Sequence, residues 1–275
     1  MNKKNVCVIT GGSSGIGLAT AKQMGQKGYS LVLAARTPAK LNSAIAQLRA
    51  EGISAQACRC DVGDWESVKN LAALAQSNGT VTAVLHIAGM SPHMGDEEAI
   101  LRGNALGTIH MHDAFYPVLD KGGCIVDTSS MSAYLAPKFI MPQKAFALAK
   151  TDRSAFLDKL LSRIRMLPKK SRPGAAYAIS KYFVIWYVRC EAARFGTHGV
   201  RVLSITPGNF DTPMGALEQK QAQSYLRFNA LKRSGKPEEI ATLFAAVSDP
   251  EMGYLTGCDI LCDGGCVAGK LCCKL

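Results

Sequence analysis

The feature that most constrains the fold is a regular alternation of short apolar runs with amphipathic stretches along the chain. Near-continuous apolar runs are typical of strands buried on both faces of a sheet, and strand–helix–strand repetition is typical of parallel strands. We therefore predict an α/β fold, a doubly wound sheet of seven parallel strands. The predicted strands are Val6–Thr10, Leu31–Ala35, Ala55–Asp61, Ala83–His86, Cys124–Thr128, Val200–Thr206 and Asp259–Cys262.

Apolar residues at helical spacing fill the segments between these strands. A chain of 275 residues with 48% hydrophobic content can bury one sizeable core, so residues 1–275 are expected to form a single domain. The predicted helices are Ile16–Gln26, Pro38–Ala50, Trp65–Gln76, Glu97–Leu119, Ala175–Phe195 and Pro237–Val247.

One stretch interrupts the alternation, between the strand that ends near Ser130 and the helix that contains Tyr177. Its apolar residues recur at helical spacing beside basic ones, and Pro168 follows, which predicts an amphipathic helix that ends there. We interpret residues 135–174 as a basic helical insertion, called the flap below, rather than as a second domain.

The net charge of +11 is concentrated in the flap. The flap has ten basic residues against two aspartates, an excess of eight, so the rest of the chain carries the remaining three positive charges. Basicity confined to one segment argues against nucleic-acid binding, and no nucleic-acid partner is predicted. The basic residues are Lys138, Lys144, Lys150, Arg153, Lys159, Arg163, Arg165, Lys169, Lys170 and Arg172.

The distribution of apolar residues and cysteines bears on localisation. No segment has eighteen uninterrupted apolar residues, and the first apolar run is too short for a signal peptide, so we expect a cytoplasmic protein without a transmembrane segment. Ten scattered cysteines indicate reduced thiols, and their spacing matches no zinc pattern, so no metal is predicted. The terminal Cys273-Lys274-Leu275 resembles a peroxisomal address, which applies only in a eukaryote.

A glycine-rich turn, Thr10-Gly11-Gly12-Ser13-Ser14-Gly15-Ile16-Gly17, follows the first strand and runs into a predicted helix. Glycines permit the sharp turn and the close approach of a ligand, and free amides at the helix start can bind a pyrophosphate. The turn therefore predicts a Rossmann-type dinucleotide site. Its residues are Gly11, Ser13, Ser14, Gly15, Ile16 and Gly17.

The residues after the second and third strands bear on which dinucleotide binds. NAD sites usually have a carboxylate at the end of the second strand, and here Arg36 stands in that region. Arg36 can pair with a 2′-phosphate, which favours NADP, with NAD as the alternative and a solvated arginine as the other interpretation. Asp61 and Val62 follow the third strand, where Asp61 can accept a bond from the adenine amino group or cap the next helix.

Tyr177 and Lys181 form the predicted catalytic pair. They are four positions apart, which places both on one face of a helix. A hydroxyl that loses its proton while its carbon loses hydride needs an acid–base group within hydrogen-bond reach. A tyrosine, with an unperturbed pKa near 10, can serve if a cation such as the Lys181 ammonium stabilises its phenolate. Exposed Tyr/Lys pairs with this spacing are common. The catalytic interpretation of Tyr177 and Lys181 therefore depends on the motifs that surround them.

Six motifs in register make the chain resemble the short-chain dehydrogenase/reductases. They are Thr10-Gly11-x-x-x-Gly15-x-Gly17, Asn104, Ser130, Tyr177-x-x-x-Lys181, Pro207-Gly208 and Asp263-Gly264-Gly265, in the family's order and over nearly the whole chain. The resemblance implies an oxidoreductase that acts on CH–OH groups and transfers the 4-pro-S hydride of NADP(H).

Ser130 stands at the carboxyl end of its predicted strand, where it can hold the substrate oxygen and the developing alkoxide; strand alternation points Ser129 away. By resemblance, Asn104 would hold a water that links Lys181 to solvent; the alternative is a helix-interior amide bonded to backbone. The resemblance also implies cofactor contacts at Ala88, Gly89, Pro207, Gly208 and Thr212, together with Tyr177 and Lys181.

The sequence departs from the family pattern in two places. His86 begins the segment where relatives carry Asn-Asn-Ala-Gly, and a histidine satisfied within the sheet is favoured over a proton relay. Ser130 and Tyr177 are 47 positions apart, where relatives have a dozen or so. The flap is therefore expected near the substrate mouth or a subunit interface. It can cap an apolar pocket, attract an anionic substrate, replace the helix pairing through which relatives dimerise, or be only a solvated basic face.

Residues 209–235 are predicted to form a substrate-binding lid, because they carry Met214, Leu217, Tyr225, Leu226 and Phe228. We predict hydride transfer between NADP(H) and a hydrophobic secondary alcohol or ketone, steroid-like, as in hydroxysteroid dehydrogenases. The alternatives are a 3-oxoacyl-thioester reductase, a non-catalytic NADP-binding sensor, and a binder that uses the flap without any cofactor. The substrate is expected to be a small molecule, with an anionic one and a homo-oligomer left open.

Overall fold

The computed structural model describes residues 4–137, 141–217 and 219–272. Seven parallel strands form one sheet with the order β3-β2-β1-β4-β5-β6-β7, so the predicted fold class is confirmed. The strands are β1 Asn5–Thr10, β2 Ser30–Ala35, β3 Ala55–Arg59, β4 Thr80–His86, β5 Cys124–Thr128, β6 Arg201–Pro207 and β7 Asp259–Cys262. The order reverses between β1 and β4, and this is where open α/β sheets bind ligands.

Helices cover both faces of the sheet. The α-helices are α1 Gly15–Gln26, α2 Pro38–Ala50, α3 Trp65–Asn78, α4 Glu97–Leu101, α5 Gly107–Phe115, α6 Ser132–Leu135, α7 Gln143–Phe146, α8 Arg153–Arg165, α9 Arg172–Gly196, α10 Pro213–Leu217, α11 Gln219–Leu226, α12 Pro237–Val247 and α13 Cys266–Cys272. Helices α1, α2 and α12 bury one face, and α3, α5 and α9 bury the other. No helix within the described ranges is long and apolar enough to cross a membrane.

The predicted continuous helix Glu97–Leu119 is interrupted. A π-helical turn, Arg102–Leu106, separates α4 from α5, and α5 ends at Phe115. Two glycines explain how neighbours approach this region so closely: a Cβ on Gly103 would lie 3.1 Å from the Met90 sulfur, and one on Gly107 would lie 2.8 Å from a Val62 methyl. The π turn thus places α4 and α5 directly against the loops that follow β3 and β4.

The flap is mainly helical and packs on the outer face of α4 and α9. It contains α7, a 3-10 turn over Ala147–Lys150, and the predicted amphipathic helix, observed as α8. Asp152 caps α8 by accepting a hydrogen bond from the Ala155 N–H at 2.9 Å. The buried face of α8 lies in one apolar cluster with Phe146, Phe183 and Tyr187. Residues of α8 in this cluster are Phe156, Leu157, Leu160, Leu161 and Ile164.

Several basic side chains of the flap are paired with acidic residues of the underlying helices. Lys150 lies 3.0 Å from Glu191, Arg153 pairs with Asp113, and Arg165 pairs with Glu97 and Glu98. Part of the flap's charge therefore holds it to α4, α5 and α9. The side chains of Lys159, Arg163, Lys169 and Lys170 are exposed, and Lys138 lies outside the described residues.

Candidate active site

The cleft lies at the carboxyl ends of the strands, beside the reversal of strand order. Its cavity of about 280 Å³ runs from the second and third strands, past the glycine turn, to Tyr177 and the start of the predicted lid. Cofactor residues predicted from the sequence that line it are Gly11, Ser13, Ser14, Gly15, Ile16, Gly17, Arg36, Asp61, Val62, Ala88, Gly89, Tyr177, Lys181, Pro207 and Thr212. Gly208, Asn104 and Ser130 lie outside this lining.

The glycine turn leaves no room for side chains at two of its positions. Gly11 has a φ of +68°, and a Cβ there would lie 3.0 Å from the Ala88 nitrogen. A Cβ on Gly17 would lie 2.2 Å from the Gly11 carbonyl oxygen. The Thr10 hydroxyl also accepts a hydrogen bond from the Ala88 N–H at 3.1 Å, which ties the turn to the loop after β4. These contacts leave a backbone-lined concavity at the start of α1, which fits a pyrophosphate.

Two cations border the end of the cleft that is formed by β2 and β3. Arg36 was predicted from the sequence, and its guanidinium lies 3.9 Å from the Met90 sulfur. Lys40, in the first turn of α2, also lines the cleft and was missed. Its position four residues after Arg36, at a helix start, was the available signal. Two cations beside one cavity fit a 2′-phosphate better than the ribose hydroxyls of NAD.

Asp61 also lines this end of the cleft, but it does not cap the following helix. Its Oδ1 accepts a hydrogen bond from the Gly63 N–H at 2.9 Å, inside the turn after β3. The N-cap of α3 is Asp64, whose Oδ1 accepts from the Glu66 N–H at 3.1 Å. The capping alternative for Asp61 is therefore wrong, because the turn needs two more residues before the helix begins.

Helix α9 brings Tyr177 and Lys181 to the same cleft. The Lys181 side chain is buried, and its Nζ donates a hydrogen bond to the Thr128 carbonyl at 2.8 Å. Nζ lies 5.9 Å from the centre of the Tyr177 ring. Burial lowers the pKa of Lys181 to about 8, although the Asp127 carboxylate opposes the change. A cation held this close to the phenol is placed to stabilise a phenolate.

Ser129 and Ser130 occupy different environments at the end of β5. Ser129 lines the cleft, and its hydroxyl donates to the Lys181 carbonyl at 2.7 Å, so it fastens α9 to the strand. The Ser130 oxygen accepts from the Ser132 N–H at 3.3 Å, a contact that does not use the hydroxyl hydrogen. Strand alternation predicted that Ser129 points away from the ligand, and the structure shows that Ser129 nevertheless borders the cleft.

Asn104 lies in the π-helical turn and is buried. Its side chain accepts from the Met90 N–H at 2.8 Å and donates to the Met90 carbonyl at 3.0 Å and to the Ser180 hydroxyl at 3.1 Å. A Cβ on Gly89 would lie 3.4 Å from its Oδ1 and 3.1 Å from the Lys181 Nζ. Asn104 thus binds the backbone of the loop after β4, on the side of that loop where Lys181 lies.

His86 and the start of the predicted lid segment complete the surroundings of the cleft. A hydrogen bond of 2.8 Å joins His86 Nδ1 to the Thr10 hydroxyl, and burial lowers the His86 pKa to about 4, as expected for a histidine satisfied within the sheet. Thr212, near the start of the predicted lid segment, lies beside the glycine turn, since a Cβ on Gly15 would be 3.3 Å from its side chain. Met214 lines the cleft directly after it.

No group of three or more His, Cys, Asp or Glu side chains in the described segments is arranged to hold a metal ion. The described lining of the cleft combines the backbone of the glycine turn with Arg36 and Lys40 at one end and the Tyr177/Lys181 pair at the other. This combination fits a bound dinucleotide, with the Tyr177 phenol at the end of the cleft opposite Arg36.

Comparison with known proteins identifies the family. Residues 5–143 match the model of short chain dehydrogenases, and residues 161–267 match that of enoyl-(acyl carrier protein) reductases. The short-chain dehydrogenase/reductase bsc3 of Alternaria brassicicola is 30% identical over 98% of this chain and 97% of its own. The chain belongs to the short-chain dehydrogenase/reductases, a family of oxidoreductases that act on CH–OH groups.

Two further relatives cover almost the whole chain. The 2,5-dichloro-2,5-cyclohexadiene-1,4-diol dehydrogenase LinX of Sphingobium indicum is 28% identical over 96% of both chains. A short chain dehydrogenase from Burkholderia cenocepacia, solved in complex with NADP, is 25% identical over 94% of this chain and 96% of its own, with a TM-score of 0.76. The fold is thus shared over almost the whole chain with a dehydrogenase that was solved in complex with NADP.

Proposed function

We propose that the chain transfers a hydride between NADP(H) and a hydrophobic secondary alcohol or ketone, with Tyr177 as the acid–base group. The observation that carries this proposal is the buried Lys181 ammonium beside Tyr177, at one end of a cleft whose other end carries Arg36 and Lys40. The arrangement supports a cofactor that lies along the glycine turn with its phosphate end at the two cations. The Burkholderia relative, which holds NADP, supports the same cofactor; NAD remains the alternative.

In the proposed reduction, bound NADPH supplies the hydride. The Tyr177 hydroxyl donates a proton to the carbonyl oxygen, and the Lys181 ammonium stabilises the phenolate that remains. The Ser130 hydroxyl holds the same oxygen as negative charge develops on it. Asn104 keeps the loop after β4 in place through its bonds to Met90, so that Gly89 stays against Lys181. The loops of the lid exclude water from the cleft.

The apolar side chains of the lid favour a bulky apolar substrate. We propose that residues 209–235 bind it, because Met214 borders the cleft and the exposed Leu217 stands at the end of α10. Tyr225 and Phe228 pack on Met131 beside the last helix, which anchors the far side of the lid. This composition favours a steroid-like ketone over a small polyol. A 3-oxoacyl thioester is the second candidate, since one family model that matches is that of enoyl-(acyl carrier protein) reductases.

The position of the flap supports a structural contribution rather than a direct contact with substrate. None of the described residues between 135 and 174 lines the cleft, and the flap instead covers α4 and α9. We propose that the flap replaces a helix pairing of relatives on this face and that any homo-oligomer uses another surface. Its remaining exposed cations, such as Lys159 and Arg163, are the ones available to attract an anionic substrate.

We also propose a cytoplasmic location. The nine cysteines that the structure describes are all free thiols, as expected in a reducing compartment. The peroxisomal alternative depends on Cys273-Lys274-Leu275, which lies outside the described residues.

A substrate panel tests the proposal. Purified protein is incubated with NADPH or NADH and with neutral ketosteroids, carboxylated steroids, 3-oxoacyl thioesters or simple ketones, and the loss of absorbance at the reduced nicotinamide band is followed. The proposal expects turnover with NADPH and a bulky ketone. NADPH binding without turnover of any carbonyl compound would favour the sensor instead, and preferred turnover of the thioesters would favour the second candidate.

A further inference from the structure

A row of polar side chains crosses the sheet directly below the cleft. Thr10, His86, Asp127 and Ser204 are register partners on four adjacent strands, and all four residues are buried. Their strands place apolar neighbours two residues earlier against α3, α5 and α9, so these polar side chains face the same helices. Asp127 is the acidic member of the row, and its carboxylate lies in the interior of the protein.

Asp127 begins a series of charged groups of alternating sign that leads outward to the flap. His112, on α5, donates from Nε2 to Asp127 Oδ2 at 2.6 Å, and its Nδ1 lies 3.9 Å from Glu191 on α9. Glu191 pairs with Lys150 of the flap at 3.0 Å and with Arg194 at 2.5 Å.

The outer end of the series is formed by Asp113, which pairs with Arg194 and with Arg153 of the flap. The inner groups are enclosed by aromatic rings, since Tyr187 and Phe195 both contact the His112 imidazole. The ring centres lie 5.1 and 5.3 Å from that of His112. The flap thus supplies two of the cations at the outer end of the series.

His112 and Glu191 stabilise each other's charged forms. Burial opposes protonation of His112, but Asp127 and Glu191 outweigh burial and raise the His112 pKa to about 9. Burial likewise opposes ionisation of Glu191, yet His112 and Lys150 lower the Glu191 pKa to about 2. His86, the other histidine beside Asp127, stays neutral because burial lowers its pKa. The cation on the α5 side of Asp127 is therefore the His112 imidazolium.

Asp127 is also adjacent to the anchor of Lys181. The next residue along β5, Thr128, accepts the hydrogen bond from the Lys181 Nζ. Ser129, whose side chain shares the strand face of Asp127, bonds to the Lys181 carbonyl. Lys181 therefore lies against the stretch of β5 that carries Asp127, and its ammonium is within electrostatic reach of the Asp127 carboxylate. The Asp127 Oδ1 has no hydrogen-bond donor within the described part of the chain.

We propose that Asp127, hydrogen-bonded to His112, is a positioning residue that keeps the buried Lys181 ammonium charged. The catalytic consequence rests on the proposed function, because Lys181 acts through Tyr177. A carboxylate beneath the ammonium offsets part of the unfavourable free energy of burying that cation. The series through Glu191 to Lys150 and Arg153 in turn makes the flap part of the electrostatic environment of Asp127. This assigns the flap an electrostatic connection to the active site through residues that do not themselves line the cleft.

The test measures the charge of Lys181 directly and needs neither substrate nor cofactor. Lysine labelled with ¹³C at Cε is incorporated, the Lys181 resonance is identified by its absence in Lys181→Met, and the resonance is followed against pH. Asp127→Asn is expected to lower the Lys181 pKa by about one unit, the lower range for loss of a nearby opposite charge. The matched control is Asp120→Asn, which removes an exposed carboxylate and is expected to leave the Lys181 pKa unchanged.

A second variant keeps the test decisive if Asp127→Asn does not fold. Asp127→Asn combined with His112→Gln replaces the buried ion pair by two neutral groups that can still hydrogen-bond. The double variant is also expected to lower the Lys181 pKa by about one unit. An unchanged Lys181 pKa in a folded variant, or a change no larger than in Asp120→Asn, would overturn the proposal.

Turnover gives an independent readout. With a ketone that the wild type reduces, the alkaline decline of kcat is expected to move to lower pH by about one unit in the double variant. A uniform loss of kcat with an unmoved pH profile would indicate a merely structural contribution and would contradict the proposal. If no carbonyl compound is reduced, the proposed function fails, while the Lys181 titration still decides whether Asp127 sets the charge of that lysine.

Discussion

At the scale of single residues, the proposed function assigns recognition of the cofactor's phosphate end and acid–base chemistry to opposite ends of the cleft. Arg36 and Lys40 stand at one end, and Tyr177 with Lys181 at the other. The glycine turn lies between them and presents backbone rather than side chains. This division means that substitutions at the two ends are expected to affect different quantities, cofactor preference at one end and turnover at the other.

Cofactor preference is expected to depend on both cations. Arg36→Ala and Lys40→Ala are each predicted to weaken NADPH binding about tenfold to a hundredfold, since a hydrogen bond to a charged group contributes about 1.5–3 kcal/mol. NADH binding is predicted to change little, because NADH lacks the 2′-phosphate. Titration of cofactor fluorescence measures both dissociation constants, with Arg49→Ala on the exposed part of α2 as the control. Equal losses for the two cofactors would refute the phosphate contact.

The two serines after β5 provide a matched pair. Ser130→Ala is predicted to lower kcat by about 10²–10³-fold, because it removes a donor from the developing alkoxide. Ser129→Ala is predicted to change the free energy of unfolding by about 1 kcal/mol through loss of the bond to the Lys181 carbonyl, with a smaller effect on kcat. Steady-state kinetics and urea unfolding on both variants separate the two contributions. A larger loss of kcat in Ser129→Ala would reverse the assignment.

Residues whose position depends on local backbone geometry could be predicted from the sequence. Residues brought to the cleft or to its surroundings by the packing of separate elements were missed. The glycine turn was predictable because positive φ and close backbone approach exclude most side chains. Lys40 was missed because its approach to the cleft depends on the orientation of α2 against β2. Asp127 was missed because its partner, His112, stands 15 positions earlier on α5, and only the packing of that helix against the sheet brings the two side chains together.

At the scale of elements, the strands and most helices follow from apolar patterning, and β5, β7, α2 and α12 have the predicted bounds. The π-helical turn between α4 and α5 was not predicted, and the close approach of Met90 to Gly103 and of Val62 to Gly107 depends on loops from other parts of the chain. The amphipathic helix of the flap was predicted, but its ion pairs with α4, α5 and α9 were not. Pairing across distant elements leaves no periodic signal in a single sequence.

The flap is expected to contribute to stability through its buried face. Phe156→Ala is predicted to lower the free energy of unfolding by about 3–5 kcal/mol, because the ring is fully buried among Phe183 and its neighbours. Lys159→Ala, on the exposed face of the same helix, is predicted to change it by less than about 0.5 kcal/mol. Urea unfolding followed by circular dichroism measures both. Similar small effects in the two variants would show that the flap is not packed as described.

At the scale of the whole molecule, buried ionisable groups make stability depend on pH. His86 has a folded pKa of about 4, below its unfolded value near 6.5, so the unfolded state binds more protons between these values and stability rises with pH there. His112 has a folded pKa of about 9, so its contribution is fully present below pH 6.5 and declines as pH rises above it.

The free energy of unfolding is therefore predicted to increase from pH 4 to about 6.5 and to decrease from there toward pH 8. Above pH 8 the lowered pKa of Lys181 acts in the opposite direction and offsets part of the decrease. Urea unfolding across this range tests the prediction, and His86→Asn is expected to flatten the acidic side alone. If the free energy of unfolding of His86→Asn rose between pH 4 and 6.5 as in the wild type, groups other than His86 would cause the pH dependence.

The central claim is that Tyr177 carries the proton in an NADPH-dependent reduction. It is tested most directly by comparing wild type with Tyr177→Phe for NADPH binding and for NADPH oxidation with a ketone, and Tyr182→Phe on the same helix is the control. The account predicts unchanged NADPH binding and a loss of kcat of at least about 10²-fold in Tyr177→Phe, with normal turnover in Tyr182→Phe. Wild-type turnover in Tyr177→Phe would contradict it.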